Sequence, residues 1–290
     1  MFTRALCPLL VLLVLAWITP HASAQTLKEL QAALVEANDA KKPAEMRTLV
    51  DQILNHPDAG DGDRVAARMM LIRATRFENA GLDKIIEAAN AVIESKGATP
   101  SHAMSACLEV GQYANNSGAL DKGLEWLSRC RDIIIANKLW GAAPVVFRDL
   151  ATSKRALGDR LGAAETMLEG LATLDERKMA LAYYYQPPWL DHLACFGPDN
   201  ADKELRGQTL ALNLVARTKK LEDISKTFDL LVRLSAYARP AATAETKRAF
   251  LAALDSLASA ARAAEKTEDL DPAAVADKIS SWRASLPAPE

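Results

Sequence analysis

The chain has 290 residues, with 35 Lys and Arg against 37 Asp and Glu and a formal net charge of −2. That balance excludes the basic surface that nucleic acid or anionic lipid selects, and a 50% hydrophobic content excludes a disordered chain. Ala (54) and Leu (40) together make up near a third of the residues, against 16 aromatics. Alanine favours helices and fits poorly in strands, so the excess predicts helices packed at close range.

Residues 1–24 read as a secretory signal peptide. Arg4 supplies a short positive start, Ala5–Ile18 is almost wholly apolar, and Ala22-Ser23-Ala24 gives the small-x-small pattern before a cleavage point at Gln25. The apolar run of about 14 residues, interrupted by Pro8, is short for a spanning helix, which needs roughly 20. The expected location is the periplasm or the exterior. Cys7 leaves with this segment, and Cys107, Cys130 and Cys195 remain. An odd number cannot all pair within one chain. Each reads either as a small buried hydrophobe or, for Cys107 and Cys130, as a disulfide across one helix hairpin, which export permits.

From residue 25 onward helical spacing is nearly continuous. Leu27, Leu30, Leu34 and Val35 keep an i, i+3, i+4 rule, as do Leu49, Val50, Ile53 and Leu54. Pro43, Pro100, Pro144 and Pro272 stand where a first helical turn tolerates proline, and Asp271 before Pro272 is an N-cap pair. No run alternates apolar and polar residues as a half-buried strand requires.

Three junctions repeat along the chain: Asn79-Ala80-Gly81-Leu82-Asp83-Lys84, Ser117-Gly118-Ala119-Leu120-Asp121-Lys122 and Leu157-Gly158-Asp159-Arg160-Leu161-Gly162. A fourth, Lys42-Pro43-Ala44-Glu45-Met46, lies about 39 residues before Leu82. Two helices per unit at such a period signal an α-solenoid. The segment Leu150-Ala151, Leu157-Gly158-Asp159, Ala163, Met167 and Gly170 resembles a tetratricopeptide (TPR) repeat, and Gly111, Gly118, Gly123, Leu127 and Cys130 hold the same places one unit earlier. A period above 34 and the lack of the family's Trp, Tyr and closing Pro make this a degenerate TPR-like or Sel1-like pattern. The resemblance implies an all-α, right-handed α-solenoid of stacked antiparallel hairpins. TPR-like repeats then occupy 25–177, and a continued helical array with capping helices occupies 178–285, with helices near 202–218, 221–237, 242–265 and 271–285. A flexible tail occupies 286–290.

At Tyr183-Tyr184-Tyr185-Gln186-Pro187-Pro188-Trp189 the helix is expected to break, since two prolines remove donors and bias the preceding residue away from α. The aromatics there read either as a core plug or as a ligand lining. Signs of chemistry are sparse. His56, His102 and His192 are scattered, and no HExxH, GxSxG, P-loop or GxGxxG occurs. His192 and Cys195 sit at i, i+3, which is weak support for a nucleophile and base. The Asp58–Asp63 loop lacks the spacing of a calcium loop.

The expected role is therefore an exported interaction scaffold without catalytic residue, metal or cofactor, taking a protein or peptide partner. The exposed ends of such an array also suit self-association. The TPR register implies that Gln112, Asn115, Arg148, Thr152 and Arg155 face the binding groove. The Lys/Asn clamp by which some members hold a terminal carboxylate is not reproduced. A second expectation is a sensor for a small molecule or cell-wall fragment built on Tyr184 and Trp189.

Overall fold

The computed structural model describes residues 25–289; segment 1–24, expected to be a signal peptide, lies outside the described residues. Among those residues there are thirteen α-helices and no strand. They are α1 (Leu27–Asp39), α2 (Pro43–Asn55), α3 (Asp61–Phe77), α4 (Leu82–Ile93), α5 (Pro100–Asn116), α6 (Leu120–Asn137) and α7 (Ala143–Ala156), followed by α8 (Arg160–Glu176), α9 (Gln186–Leu193), α10 (Ala201–Ala216), α11 (Leu221–Leu234), α12 (Ala244–Ala263) and α13 (Pro272–Ser285). No described helix is long and apolar enough to cross a membrane.

Local chemistry sets the helix starts. Thr26, Thr99, Asp159, Thr243 and Asp271 each accept a first-turn N–H, which satisfies donors that a helix start leaves without partners. Pro43, Pro100, Pro144 and Pro272 all lie in first turns, where their missing N–H costs nothing. Asp61 and Asp63 also fall in a first turn, that of α3, where negative charge favours the helix dipole.

The helix stops carry the period. Lys41, Asn79, Gly118 and Gly158 follow α1, α3, α5 and α7 in the left-handed region, at φ 52°, 52°, 82° and 89°. The next residue in each case closes a six-to-one bond: Lys42 N donates to Ala37 O, Ala80 N to Thr75 O, Ala119 N to Ala114 O and Asp159 N to Lys154 O, all at 2.9–3.2 Å. This turn reverses the chain and satisfies the last carbonyls.

From α1 to α8 each helix packs on the next, and the odd-numbered helices also touch one another, α1 on α3, α3 on α5, α5 on α7 and α7 on α9. Small residues set the close crossings. A Cβ on Gly111 would lie 2.6 Å from Leu127 Cγ, and one on Gly170 would lie 2.8 Å from Phe147 Cγ and 3.1 Å from Trp189 Cη2. One core runs from Val65 to Ile279, and a smaller cluster joins α1, α2 and α3. Cys107 and Cys130 are free thiols inside the larger core. Burial pushes them up to about 11 and about 12, so both stay protonated.

The packing changes at α9. The prolines at 187 and 188 do not end a helix there; they open an eight-residue one after a short 3-10 turn at Tyr183–Tyr185. Proline's fixed φ and absent N–H suit a first turn as well as they oppose an interior. Because α9 is short, α8 meets α10, α10 meets α12, and α12 meets α13. The loop after α11 is pinned from inside. Gln208 donates to Leu234 O (2.9 Å) and accepts from Ala236 N (3.1 Å), and buried Glu204 pairs with Arg239. The segment expected to fray at 286–290 is held at its start, where the buried Tyr237 hydroxyl donates to Pro287 O at 2.5 Å.

Candidate functional site: the odd-helix face

The stops at 79, 118 and 158 give a common register for α3, α5 and α7. Six residues before each stop lie Arg73, Gln112 and Thr152; three before lie Arg76, Asn115 and Arg155. Nine before the stops at 118 and 158 lie two carboxylates, Glu109 and Asp149. Glu109 meets both of these positions of α3 through its carboxylate, whereas Asp149 meets Gln112 through its carboxylate and Asn115 through its main-chain carbonyl.

At Asp149 the arrangement is closed. Gln112 Nε2 donates to Asp149 Oδ2 at 2.8 Å, and Arg148 Nε donates to Oδ1 at 2.8 Å. Asn115 Nδ2 reaches Asp149 O at 3.4 Å, and Ser153 Oγ donates to Asn115 Oδ1 at 2.9 Å. Asp149 is only 9% exposed. One unit further, Thr152 Oγ1 lies 3.2 Å from His192 Nε2, and Arg155 pairs with Asp191. Burial first, then the Arg155 charge, holds His192 below its ordinary range, with Asp191 opposing. The five residues expected to face a groove are engaged in ties within and between α5, α7 and α9.

At Glu109 the arrangement is open. Arg76 pairs with Glu109 Oε2, while Arg73 Nε stands 3.7 Å from Oε1 with its side chain 44% exposed. Burial and the like charge of Arg73 lower the Arg76 guanidinium from its ordinary value, yet an arginine stays charged at neutral pH. A cavity of about 490 Å³ lies here, lined by Asn38, Arg73, Arg76, Phe77, Glu109, Tyr113 and Asn116. Phe77 is 41% exposed, a large apolar side chain facing water. The Tyr113 hydroxyl donates to Asn79 Oδ1 at 2.7 Å, which fixes the ring as a wall. Asn38 Oδ1 is buried and has no partner among the described residues.

The aromatic segment separates into two environments. Tyr184 is 66% exposed, stacked 4.0 Å from Tyr185. Trp189 is fully buried, against Gly170. The two therefore line no common surface, because the short helix α9 turns its Trp inward to fill the crossing of α7 and α8. Among the described residues no three His, Cys, Asp or Glu side chains converge in a way that could hold a metal ion.

The α3–α5 cavity was missed in the sequence. The signal was present: the Asn79 junction had been aligned with Gly118, and extending the register back from it places Arg73 and Arg76 beside Gln112 and Asn115. No family model matches the chain, and no curated protein or solved structure matches it.

Proposed function

We propose that the protein is an exported, non-catalytic helical-repeat scaffold that docks a protein partner on its odd-helix face. The regular spacing of the stops at 41, 79, 118 and 158 and the contacts between successive odd helices from α1 to α9 support an α-solenoid of TPR-like hairpins, whose first helices line one continuous surface. The observation that carries the docking reading is the cavity between α1, α3 and α5. There exposed Phe77 and two arginines stand against one carboxylate, whereas one unit on Gln112 and Arg148 are both committed to Asp149. Exposed aromatic and arginine side chains in a concavity are what protein interfaces use as anchors.

A photo-crosslinking amino acid at Phe77 tests this in cells that make the protein, with the same probe at exposed Ile135 on α6 as the control. A discrete adduct from position 77, absent from position 135, is expected. Equal labelling from both positions, or none from 77, would overturn the reading. The mass of the mature chain tests export, with Gln25 expected as its first residue.

A further inference from the structure

We propose that the α3–α5 cavity binds an acidic side chain, Asp or Glu, within a segment of a protein partner. The assignment rests on the docking reading above and names the chemistry of its anchor.

The first argument is charge. Arg73 and Arg76 face the cavity with Glu109 as the one carboxylate among its lining residues, which leaves one positive charge in excess. The chain as a whole is at −2, so this is a local feature and not a bulk attraction. Arg76 is committed to Glu109, but Arg73 stands 3.7 Å away and half in solvent, so most of its five donors are free. A planar guanidinium meets a carboxylate through two parallel bonds, so an incoming Asp or Glu would complete an alternating row of two cations and two anions.

The second argument is the equivalent position one unit on. There the carboxylate of Asp149 is met by neutral Gln112, Asn115 reaches the Asp149 main-chain carbonyl, and the one cation, Arg148, comes from the same helix. Charges balance and no acceptor is called for. The substitution of two arginines for Gln and Asn is what converts a tie between helices into a site with donors to spare.

The third argument separates a peptide from a simple anion. Asn38 and exposed Asn116 line the cavity with amide side chains, which can meet a main-chain amide. Phe77 and Tyr113 add apolar walls suited to the neighbouring side chains. Donors for a carboxylate, an acceptor for an amide and an apolar wall together describe a stretch of polypeptide. Arg73, Phe77 and Asn116 are all exposed, so the site is a trough along the face through which a chain can pass. That favours an internal acidic residue over a chain end.

Fluorescence anisotropy of the full chain with labelled heptapeptides tests the assignment at low salt. The probes are an amidated Glu-rich peptide, its amidated Gln isostere, and the Gln peptide with a free C-terminus. The Glu peptide is expected to bind about tenfold or more tighter than either Gln peptide. Arg73→Ala with Arg76→Ala should remove that advantage. Arg131→Ala with Arg160→Ala, which deletes the same charge from α6 and α8, should keep it. Arg73→Gln alone, at an exposed position, serves if the double variant loses helicity, and should weaken the Glu peptide several-fold. Equal binding of the Glu and amidated Gln peptides overturns the proposal, as does equal binding of the free-acid Gln peptide, which would mark a reader of chain ends. A partner still crosslinked from position 77 while the Glu peptide fails would leave the docking reading standing and the acidic assignment refuted.

Discussion

The two halves of the odd-helix face are built on one register and behave differently. Between α5, α7 and α9, Gln112, Asn115, Arg148 and Ser153 gather around buried Asp149, and Arg155 and Thr152 are matched by Asp191 and His192. Between α1, α3 and α5, the same positions carry Val35, Asn38, Arg73 and Arg76, and a cavity remains with Phe77 at its edge. Both halves end their odd helices on left-handed residues, and they differ in the side chains placed before those stops. A repeat that satisfies its own polar groups stiffens the array, and one that leaves donors over is available to a partner.

The closed half depends on what fills it from behind. Trp189→Ala empties a fully buried site between α7 and α8 and should cost about 3–5 kcal/mol in urea unfolding. A cost below about 1 kcal/mol would place the indole outside the core and restore it as a ligand surface. A second, smaller effect is pH-dependent. The folded chain holds the His192 pKa below its unfolded value of about 6.5. It therefore binds that proton less readily than the unfolded chain, and stability falls as pH drops through 6.5. His192→Asn should lessen the loss of urea midpoint between about pH 7.5 and about pH 5.5; an unchanged loss would mean that His192 is as solvated folded as unfolded. The smallest effect is expected at Tyr184, mostly exposed beside the closed half. Tyr184→Ala should change stability by about 0.5 kcal/mol or less and leave partner crosslinking from position 77 intact.

Much of the architecture was legible in the sequence. The helical class followed from the apolar spacing and the alanine excess, and the junctions at 79, 118 and 158 correspond to left-handed stops in the backbone. Those junctions were visible because Asn and Gly are residues that tolerate a positive φ. Lys41 takes the same conformation without a compositional mark, and so the first unit was harder to register. The prolines at 187 and 188 misled in the opposite way, since the rule against an interior proline and the rule favouring a first-turn proline give opposite readings of one dipeptide. For the site, the register brings Gln112, Asn115, Thr152 and Arg155 to equivalent positions but does not show which partners they meet. Whether Arg155 is free depends on Asp191, and whether Gln112 is free depends on Asp149. Those pairs are 36 and 37 residues apart and form only when neighbouring hairpins stack.

Glu109 and Asp149 offer the most direct test, because they hold equivalent places with different partners. The measurement is the unfolding free energy of Glu109→Ala and of Asp149→Ala in parallel urea titrations. Asp149→Ala leaves Gln112 and Arg148 without their acceptor in a buried network and should cost about 2–4 kcal/mol. Glu109→Ala removes a part-buried acceptor from two arginines that line an open cavity and should cost less, about 1–2 kcal/mol. An equal or larger cost at Glu109 would contradict the division of the face into a closed and an open half.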